Sequence, residues 1–546
     1  MPWNRKTKFI VITGGVLSGL GKGIVTASIG KLFYPRFKVV PMKCDGYLNV
    51  DPGTMNPIEH GEVFVLEDGG EVDMDFGHYE RIMGINCKFP WNLTTGKIFM
   101  RLVEKERNGI FLGKTVQMIP HATDEIKEAF YSVANEESAD MLLIEIGGTV
   151  GDIENMLFLE AARQMRIELG AENVLFAHLS YVPVLEAVDE QKTKPTQQSV
   201  DLLREKGIMP DVIIGRSRHI LEEKTKGKIA LFCNVPIQAV FSSPNLESVY
   251  EMPLIFEKEG LRGLIERRLN IKHKADLKNW QALVSKMKKP ASETTIALCG
   301  KYTKLKDSYV SIAEALNHAG AHLNAKVNLK WIDSEDLEKG NANLENAFSG
   351  VRGLIVPGGF GTRGTEGKIK AIGYAREKNI PFLGLCFGLQ LAVVEFARDV
   401  CNLKDANSTE VDAKTKNPII DIMPEQKNIS RKGATMRLGA YPAYLKEKSR
   451  VWEIYGKQKI VSERHRHRYE VNPDYHDLLE RNGMLISGTS KDGMLAEFVE
   501  IPKNRFFVAT QAHPEFKSSL ERPAPLFLSF VDACIDKKQT KLQVSG

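Results

Sequence analysis

The sequence has few cysteines, no long apolar run and little net charge. Its seven cysteines are scattered, form no CxxC pair and are odd in number, a pattern typical of reduced thiols in the cytosol. The longest apolar stretch, residues 380–397, contains Gly384, Gly388, Gln390 and Glu395, so no membrane partner is expected. With 74 basic and 69 acidic residues, the net charge of +5 gives no reason to expect nucleic acid as a partner. We predict a cytoplasmic protein.

Length and composition indicate two or three globular domains. A chain of 546 residues is too long for one core, and 43% hydrophobic with 26% charged residues argues against disorder and fibrous repeats. Over residues 271–293 the strand pattern stops and lysines accumulate, which predicts a linker with one short helix. The predicted domains are therefore residues 1–270 and residues 294–546.

The first domain begins with the pattern of a phosphate-binding loop. An apolar run at residues 9–13 leads into a glycine-rich loop, after which Lys22 opens an apolar segment at helical spacing. Glycines allow backbone N–H groups to approach phosphate oxygens at a helix N-terminus, and Lys22 would reach the outer phosphates. Gly23 stands where Ser or Thr normally holds magnesium, so metal ligands must come from elsewhere. The alternative is a glycine-rich turn that closes a βα unit.

Acidic residues further along are candidate metal ligands. Glu145 lies in the apolar strand predicted at residues 141–146, where an unpartnered carboxylate is costly and Mg²⁺ is a natural partner. Asp73 and Asp75 lie in an acidic, glycine-rich stretch, residues 60–81. The alternatives are a helix cap for Glu145 and a solvated loop for the two aspartates.

The remainder of the first half alternates between strand and helix patterns. A strand is predicted at residues 38–42, with Lys43 at its carboxyl end, where parallel sheets bind ligands. The run QKTKPTQ, residues 191–197, predicts an anion site or a solvated basic loop. Further strands are predicted at residues 115–119 and 174–179, a helix at 123–133, and continued βα alternation at 211–215, 229–233 and 237–241. The pattern predicts a doubly wound α/β domain.

The second half contains the pattern of a nucleophile elbow. Strands are predicted at residues 294–300, 351–357 and 381–385, and the last runs directly into Cys386, Phe387 and Gly388 at the start of a predicted helix. Near the C-terminus a strand at residues 506–511 precedes His513 and Glu515. An imidazole beside a thiol, oriented by a carboxylate, suits nucleophilic catalysis. Taken alone, a cysteine such as Cys386 is more often a buried core residue and a histidine such as His513 a surface residue.

Together these segments resemble a known family. PFLGLCFGLQ and HPEF are similar to a class I glutamine amidotransferase. ITGGVLSGLGKG, NVDPGTMNP, DFGHYER, EIGGTVGDIE and KTKPTQ extend the resemblance to the CTP synthase family over essentially the whole chain. The resemblance implies two doubly wound α/β domains, an N-terminal P-loop-like amidoligase (synthetase) domain and a C-terminal class I glutaminase domain.

The resemblance also implies roles in the glutaminase reaction. Cys386 would form the glutamyl thioester, with His513 as general base and Glu515 orienting it. The implied glutamine-binding residues are Gly359, Phe387, Gly388, Leu389, Gln390, Glu410 and Arg468.

In the synthetase reaction, the family phosphorylates O4 of UTP with ATP and replaces the phosphate with ammonia to give CTP. The implied ATP-binding residues are Gly19, Leu20, Gly21, Lys22, Gly23, Ile24, Lys43 and Asp75, with Mg²⁺ on Asp75 and Glu145 and no organic prosthetic group. UTP or the feedback inhibitor CTP would bind Ser18, Asp152, Ile153, Glu154, Lys192, Thr193, Lys194, Pro195, Thr196, Gln197 and Lys228. The resemblance further implies GTP as an activator and a homotetramer.

Two positions depart from the family pattern, and two alternative functions stay open. Gly19 replaces a serine and Gly46 replaces a proline, from which we expect altered nucleotide affinity without loss of activity. The alternatives are another glutamine-dependent amidoligase, such as one acting on corrinoid carboxylates, and a filament-forming structural paralogue.

Overall fold

A computed structural model of the chain describes residues 6–53, 55, 61–185, 189–301, 306–359, 361–422 and 436–536. The chain forms two compact units. The first unit comprises Met1–Pro52 and His78–Gln281, and the second comprises Gly53–Gly77 and Ala282–Gly546. Within the described ranges, none of the helices combines the length and the apolar character needed to span a bilayer.

The first unit is built on a seven-stranded sheet in which every pairing is parallel. The strands are β1 (Lys8–Gly14), β2 (Val39–Asp45), β3 (Asn92–Thr94), β4 (Met141–Ile146), β5 (Val174–Tyr181), β6 (Val212–Ser217) and β7 (Val240–Pro244). Their order across the sheet is β7-β6-β5-β1-β4-β2-β3. The order reverses beside β1, and ligands of open α/β sheets bind at the carboxyl ends of strands near such a reversal.

Helices alternate with these strands along the chain. They are α1 (Lys22–Phe33), α2 (Asp75–Met83), α3 (Thr95–Arg107), α4 (Thr123–Glu136), α5 (Met156–Leu169), α6 (Lys194–Glu205), α7 (Glu223–Cys233), α8 (Met252–Glu259), α9 (Leu261–Leu269) and α10 (Lys278–Lys288). The chain passes from one unit to the other within α2, after Gly77, and within α10, after Gln281.

The second unit is built on a nine-stranded mixed sheet. Its strands are β8 (Ser292–Gly300), β9 (Ala325–Asp333), β10 (Gly353–Val356), β11 (Phe382–Leu385), β12 (Arg437–Leu445), β13 (Ile460–His467), β14 (Leu485–Thr489), β15 (Ala496–Glu500) and β16 (Phe507–Thr510). The order is β9-β8-β10-β11-β16-β15-β14-β12-β13, parallel from β9 to β16 and antiparallel beyond it.

The helices of the second unit are α11 (Val310–Leu323), α12 (Ser334–Glu338), α13 (Leu344–Ala347), α14 (Thr365–Glu377), α15 (Phe387–Asp399), α16 (Arg450–Ile454), α17 (His476–Arg481) and α18 (Pro525–Cys534). Strand β8 shows how they cover the sheet. Ala297 and Cys299 join an apolar cluster with residues of α14 and α15. Ile296 and Leu298 join another with residues of α11 and α18. Because successive side chains of a strand point to opposite faces, both faces of the sheet are buried.

The structure confirms the predicted α/β class and the doubly wound arrangement. The predicted domain boundaries, residues 1–270 and 294–546 with a linker between them, stay a prediction. In the structure, residues 53–77 are grouped with the second unit although they precede most of the first.

The strand predicted at residues 115–119 is wrong. Residues 115–117 are irregular, and Met118–Ala122 forms a π-helical turn. Met118 and Ile119 are about half exposed. The backbone N–H of Gln117 donates to Nδ1 of His121, so it is not available to hydrogen-bond with a neighbouring strand. The apolar β-branched residues of this segment favour a strand only where a neighbouring strand can pair with them.

Two glycines on helices of the first unit allow a matched test of packing. At Gly96, in the first turn of α3, an added Cβ would lie 2.1 Å from the carbonyl O of Leu48. At Gly227, inside α7, the nearest atom would be 3.9 Å away. We expect Gly96→Ala to lower the free energy of unfolding by about 1–3 kcal/mol through overpacking. Gly227→Ala should raise it by up to about 1 kcal/mol through helix propensity. Denaturant unfolding measures both, and equal stabilities would contradict the close approach of Gly96 to Leu48.

Candidate active site

The backbone of Cys386 forms a sharp turn between β11 and α15. Its φ of 50° and ψ of −103° lie outside the regions that non-glycine residues prefer, and such strain is concentrated at functional sites. The backbone N–H of Cys386 donates to the carbonyl O of Thr510 at 2.7 Å. In the first turn of α15, a Cβ at Gly388 would lie 2.1 Å from the carbonyl O of Val356. The glycine therefore allows α15 to start against β10 and hold the thiol at the strand ends.

His513 and Glu515 follow β16 and face this thiol. Nδ1 of His513 lies 2.8 Å from Oε1 of Glu515, and its side chain hydrogen-bonds to that of Cys386. Burial favours the neutral imidazole, but the charges of Glu515 and the Cys386 thiolate outweigh burial and raise the pKa of His513 to about 10. The structure thus brings the three predicted catalytic residues together, in an arrangement that favours a thiolate–imidazolium pair.

A pocket of about 260 Å³ opens beside these residues. Its wall includes Cys386, His513 and Glu515, the loop that follows β10, and side chains from α11, α14 and β13. The reacting thiol is 3% exposed, so a substrate would be largely removed from water when its acyl group reaches the sulfur.

The predicted glutamine-binding residues surround Cys386 to different extents. Gly359 lines the pocket, while Phe387, Gly388, Leu389 and Gln390 form the first turn of α15. The Nε2 of Gln390 donates to the carbonyl O of Tyr469 at 2.8 Å.

Glu410 and Arg468, also predicted to bind glutamine, lie in other segments. Glu410 accepts the backbone N–H of Gly361 at 2.7 Å, and burial raises the pKa of its carboxyl. Arg468 is half-buried between β13 and the short strand Tyr469–Val471. Their roles in binding glutamine stay a prediction.

Sequence reasoning missed the part of the pocket wall that comes from residues 53–77. Glu62 and Val63 line the pocket. Beyond them, the strands Phe64–Val65 and Glu71–Val72 pair with each other, and Oε1 of Glu71 accepts from Nε of Arg466 at 2.8 Å. The signal was the polar yet patterned character of residues 60–81, which local periodicity cannot assign to a distant unit.

Two pocket lysines were also missed. Lys301 follows β8 and donates from Nζ to the carbonyl O of Gly361 at 2.9 Å. Lys368 lies on α14, lines the same pocket and is fully buried. No pattern in the sequence distinguishes Lys368 from the other lysines of a polar helix.

In the first unit, the predicted phosphate loop connects β1 to α1. Gly19 and Gly21 have φ values of +73° and +91°, a left-handed backbone that favours glycine. Lys22 begins α1, is 9% exposed and donates from Nζ to the carbonyl O of Gly148 at 2.7 Å. Ser18 is exposed, Leu20 and Gly23 are buried, and Ile24 is half-buried. The ammonium group of Lys22 thus lies at the carboxyl ends of β1 and β4, where phosphates of a nucleotide are expected.

Glu145 is fully buried in β4 and accepts two hydrogen bonds. Oε1 receives one from Nζ of Lys43 at 3.1 Å, and Oε2 receives one from the hydroxyl of Tyr79 at 2.6 Å. These bonds, made within the sheet, differ from the helix cap that is the alternative for this carboxylate. Among the described residues, no group of three or more His, Cys, Asp and Glu side chains forms a ready metal cage.

The two predicted magnesium ligands, Asp75 and Glu145, belong to different units. Carboxylate oxygens are the ligands that magnesium prefers, so the donor set fits this metal. The carboxylate of Asp73 accepts the backbone N–H of Asp75 at 3.0 Å, which positions the start of α2. The pairing of Asp75 with Glu145 on one ion stays a prediction.

The residues predicted to bind UTP or CTP occupy the loops after β4 and β5. Asp152, Ile153 and Glu154 are exposed, and Oδ2 of Asp152 accepts the backbone N–H of Thr149 at 2.9 Å. The other predicted residues lie before or within α6, or on α7: Lys192, Thr193, Lys194, Pro195, Thr196, Gln197 and Lys228.

Four of these seven residues make side-chain hydrogen bonds within the first unit, including one from Nε2 of Gln197 to Oγ1 of Thr193 at 2.9 Å. Nζ of Lys192 donates to Oε2 of Glu190 at 2.6 Å, and Oγ1 of Thr196 donates to the carbonyl O of Tyr181 at 3.0 Å. The charge of Lys228 also acts on Glu190.

The two departures from the family pattern have different structural settings. A side chain at Gly19 would meet no atom within 4 Å, so only its left-handed backbone opposes substitution. At Gly46, a Cβ would lie 2.6 Å from Cβ of Glu154 and 2.8 Å from its carbonyl O. Gly46 therefore lets the loop after β2 approach Glu154, one of the predicted UTP-binding residues.

Comparisons with known proteins cover both units. Residues 8–271 match the family described as CTP synthase N-terminus, and residues 304–533 match glutamine amidotransferase class-I. A CTP synthase of Borreliella afzelii is 53% identical over 538 residues, which cover 97% of this chain and 100% of the relative. CTP synthases of Thermococcus kodakarensis and Methanocaldococcus jannaschii are each 54% identical and cover 97% of this chain and 99% of the relative.

The thiolate–imidazolium arrangement can be tested through the variant Glu515→Gln. Loss of this charge should lower the pKa of His513, so less thiolate forms at neutral pH and iodoacetamide alkylates Cys386 at least about tenfold more slowly. The control Glu480→Gln removes a half-exposed carboxylate that accepts from Lys446 and should leave the rate unchanged. An unchanged rate in Glu515→Gln would contradict the role of this carboxylate.

Proposed function

The chain belongs to the CTP synthase family, and we propose that its second unit hydrolyses glutamine to supply ammonia for the amination of UTP by its first unit. The family's activity is the ATP-dependent conversion of UTP to CTP with glutamine as nitrogen source, and this is the function of the chain. One observation supports this assignment of the two reactions to different units. The Cys386–His513–Glu515 cluster lies in the second unit, and the loop that contains Lys22 lies in the first. The comparisons do not favour another amidoligase or a structural paralogue.

The glutaminase step follows from the positions of three side chains. The thiolate of Cys386 attacks the amide carbon of glutamine, and the C–N bond breaks as the imidazolium of His513 gives its proton to the leaving ammonia. Water then attacks the thioester while His513 accepts its proton, and the C–S bond breaks to release glutamate and regenerate the thiolate. Glu515 holds His513 through Nδ1, so Nε2 is left to face the sulfur and the leaving group.

The synthetase step needs cations more than covalent catalysis. The O4 of UTP is a poor leaving group until ATP phosphorylates it, and phosphoryl transfer depends on positioned positive charge. Lys22 and Lys43 supply that charge at the carboxyl ends of β1, β2 and β4. Asp75 and Glu145 would hold Mg²⁺, which neutralises phosphate charge when bound. Ammonia then displaces the phosphate to give CTP.

Regulation and assembly extend the same proposal. UTP and the feedback inhibitor CTP would share the positive site of Lys192, Lys194 and Lys228, and GTP would act as an activator. A homotetramer is supported by apolar side chains around the end of α3 that are more than half exposed: Met100, Val103, Ile110, Leu112, Met118 and Ile119. A cytoplasmic location is supported by the seven cysteines, which are all free thiols.

The variant Cys386→Ala tests the division of labour between the units. It should make CTP from UTP, ATP and ammonium at a rate close to that of wild type, but none from glutamine. The loss should be at least about 10⁴-fold, because the nucleophile itself is removed. The half-buried Cys401 provides the control, and Cys401→Ala should use both nitrogen sources. If wild type hydrolyses glutamine but forms no CTP from either source, the acceptor is not UTP.

The variant Glu145→Gln tests the proposed magnesium site. Loss of the carboxylate should weaken magnesium-dependent ATP binding roughly 10- to 100-fold and leave glutamine hydrolysis unchanged. Calorimetric titration with ATP at several Mg²⁺ concentrations measures the effect directly, without turnover. Glu136→Gln, which removes an exposed carboxylate that accepts from the hydroxyl of Ser132, serves as the control. An unchanged dependence on Mg²⁺ would show that Glu145 serves only as the partner of Lys43.

A further inference from the structure

Lys368 is a lysine buried in the wall of the glutaminase pocket. Its side chain is fully buried, and its Nζ has no hydrogen-bond partner among the residues that the structure describes. Buried ammonium groups are costly unless they are paired, so an unpaired one is rare and calls for an explanation. The pocket that Lys368 lines is the one that contains Cys386 and His513.

The immediate surroundings of Lys368 are aromatic and cationic. Its Nζ lies 5.2 Å from the ring centroid of Phe387, the residue after Cys386, and a Cβ at Gly359 would lie 3.8 Å from it. Lys301 approaches the same ring, with its Nζ 5.8 Å from the centroid. The charges that act on Lys368 are those of Lys301, which opposes protonation, and of the thiolates of Cys299 and Cys386, which favour it.

These two thiols have different surroundings. Cys299 is fully buried in β8, and burial raises the pKa of its thiol to about 12. The side chain of Cys386 hydrogen-bonds to that of His513, in the arrangement that favours a thiolate–imidazolium pair. The anionic partner of Lys368 is therefore formed at Cys386.

We propose that Lys368 is a positioning residue that acts through Cys386, where its ammonium group stabilises the thiolate. This inference rests on the proposed glutaminase function of the second unit. An ammonium group fixed in a water-poor pocket before the reaction needs no reorganisation when charge appears, which is how preorganised electrostatics accelerates a reaction. Lys368, on α14, thus adds a second positive charge to the pocket, besides that of the His513 imidazolium.

Lys368 also predicts a pH dependence. Burial, assisted by Lys301, lowers its pKa from 10.5 to about 8, while the thiolates of Cys299 and Cys386 oppose the decrease. Lys368 is therefore charged at pH 7 and loses its proton as the pH rises through about 8. His513 stays protonated to higher pH, so a decline of glutamine hydrolysis near pH 8 reports Lys368.

The test compares Lys368→Met and Lys368→Arg with the control Lys370→Met. Lys370 lies on the same helix, but its Nζ donates to the carbonyl oxygens of Leu337 and Glu338, away from the pocket. We expect Lys368→Met to lower kcat/KM for glutamine by at least about tenfold, to lose the decline near pH 8 and to leave ammonium-dependent CTP formation unchanged. Lys368→Arg should restore part of the activity, because it keeps the charge.

Two further measurements separate this role from a structural one. In Lys368→Met, the pH at which iodoacetamide alkylates Cys386 at half its maximal rate should rise, and the Tm should rise because an unpaired buried charge is replaced by an apolar chain of similar length. A wild-type alkylation profile in Lys368→Met would overturn the inference, as would a fall in Tm with equal loss of both activities. Because alkylation requires no glutamine, it tests Lys368 even if wild type fails to hydrolyse glutamine and the proposed function is wrong.

Discussion

The second unit depends on one constraint, the left-handed turn that places a thiol at the end of a parallel strand. Cys386 adopts a backbone conformation that a residue with a side chain normally avoids, so its neighbours must hold it there. They do so through the bond from its N–H to Thr510 and through the close approach of Gly388 to Val356. The same two strands that hold this turn, β10 and β16, also lead into the pocket loop and His513.

Both units contain buried charged side chains, but the partners of these side chains differ. In the first unit, the buried carboxylate of Glu145 accepts hydrogen bonds from Nζ of Lys43 and from the hydroxyl of Tyr79. In the second unit, the buried guanidinium of Arg437 is shared by two carboxylates, those of Glu470 and Glu497. Lys368 differs from all of them because its Nζ has no hydrogen-bond partner among the residues that the structure describes. In this protein, burial of a charged side chain does not by itself indicate a functional site. The partners of that side chain are the more informative feature.

Local patterns sufficed for the elements that carry the chemistry. The phosphate loop, the Cys386 elbow and the His513–Glu515 pair each combine a strand end, a glycine or proline and a reactive side chain within a few residues. Residues 115–119 show where such patterns fail, because strand propensity does not reveal whether a pairing partner exists. Lys368 could not be predicted for a related reason. Its position in the pocket wall depends on which cavity α14 faces. Packing between segments far apart in sequence determines this.

The assignment of residues 53–77 to the second unit has a consequence for the modularity of the chain. Arg464 is fully buried, and its Nη1 donates to the carbonyl O of Val65 at 3.0 Å, while Phe64 packs on Phe516 with ring centroids 5.0 Å apart. A fragment that starts in the predicted linker would lack these residues, as well as the pocket wall formed by Glu62 and Val63. Fusing such a fragment to another protein would therefore not transfer the complete pocket. The missing part of the pocket wall comes from residues 53–77, which lie near the N-terminus of the chain.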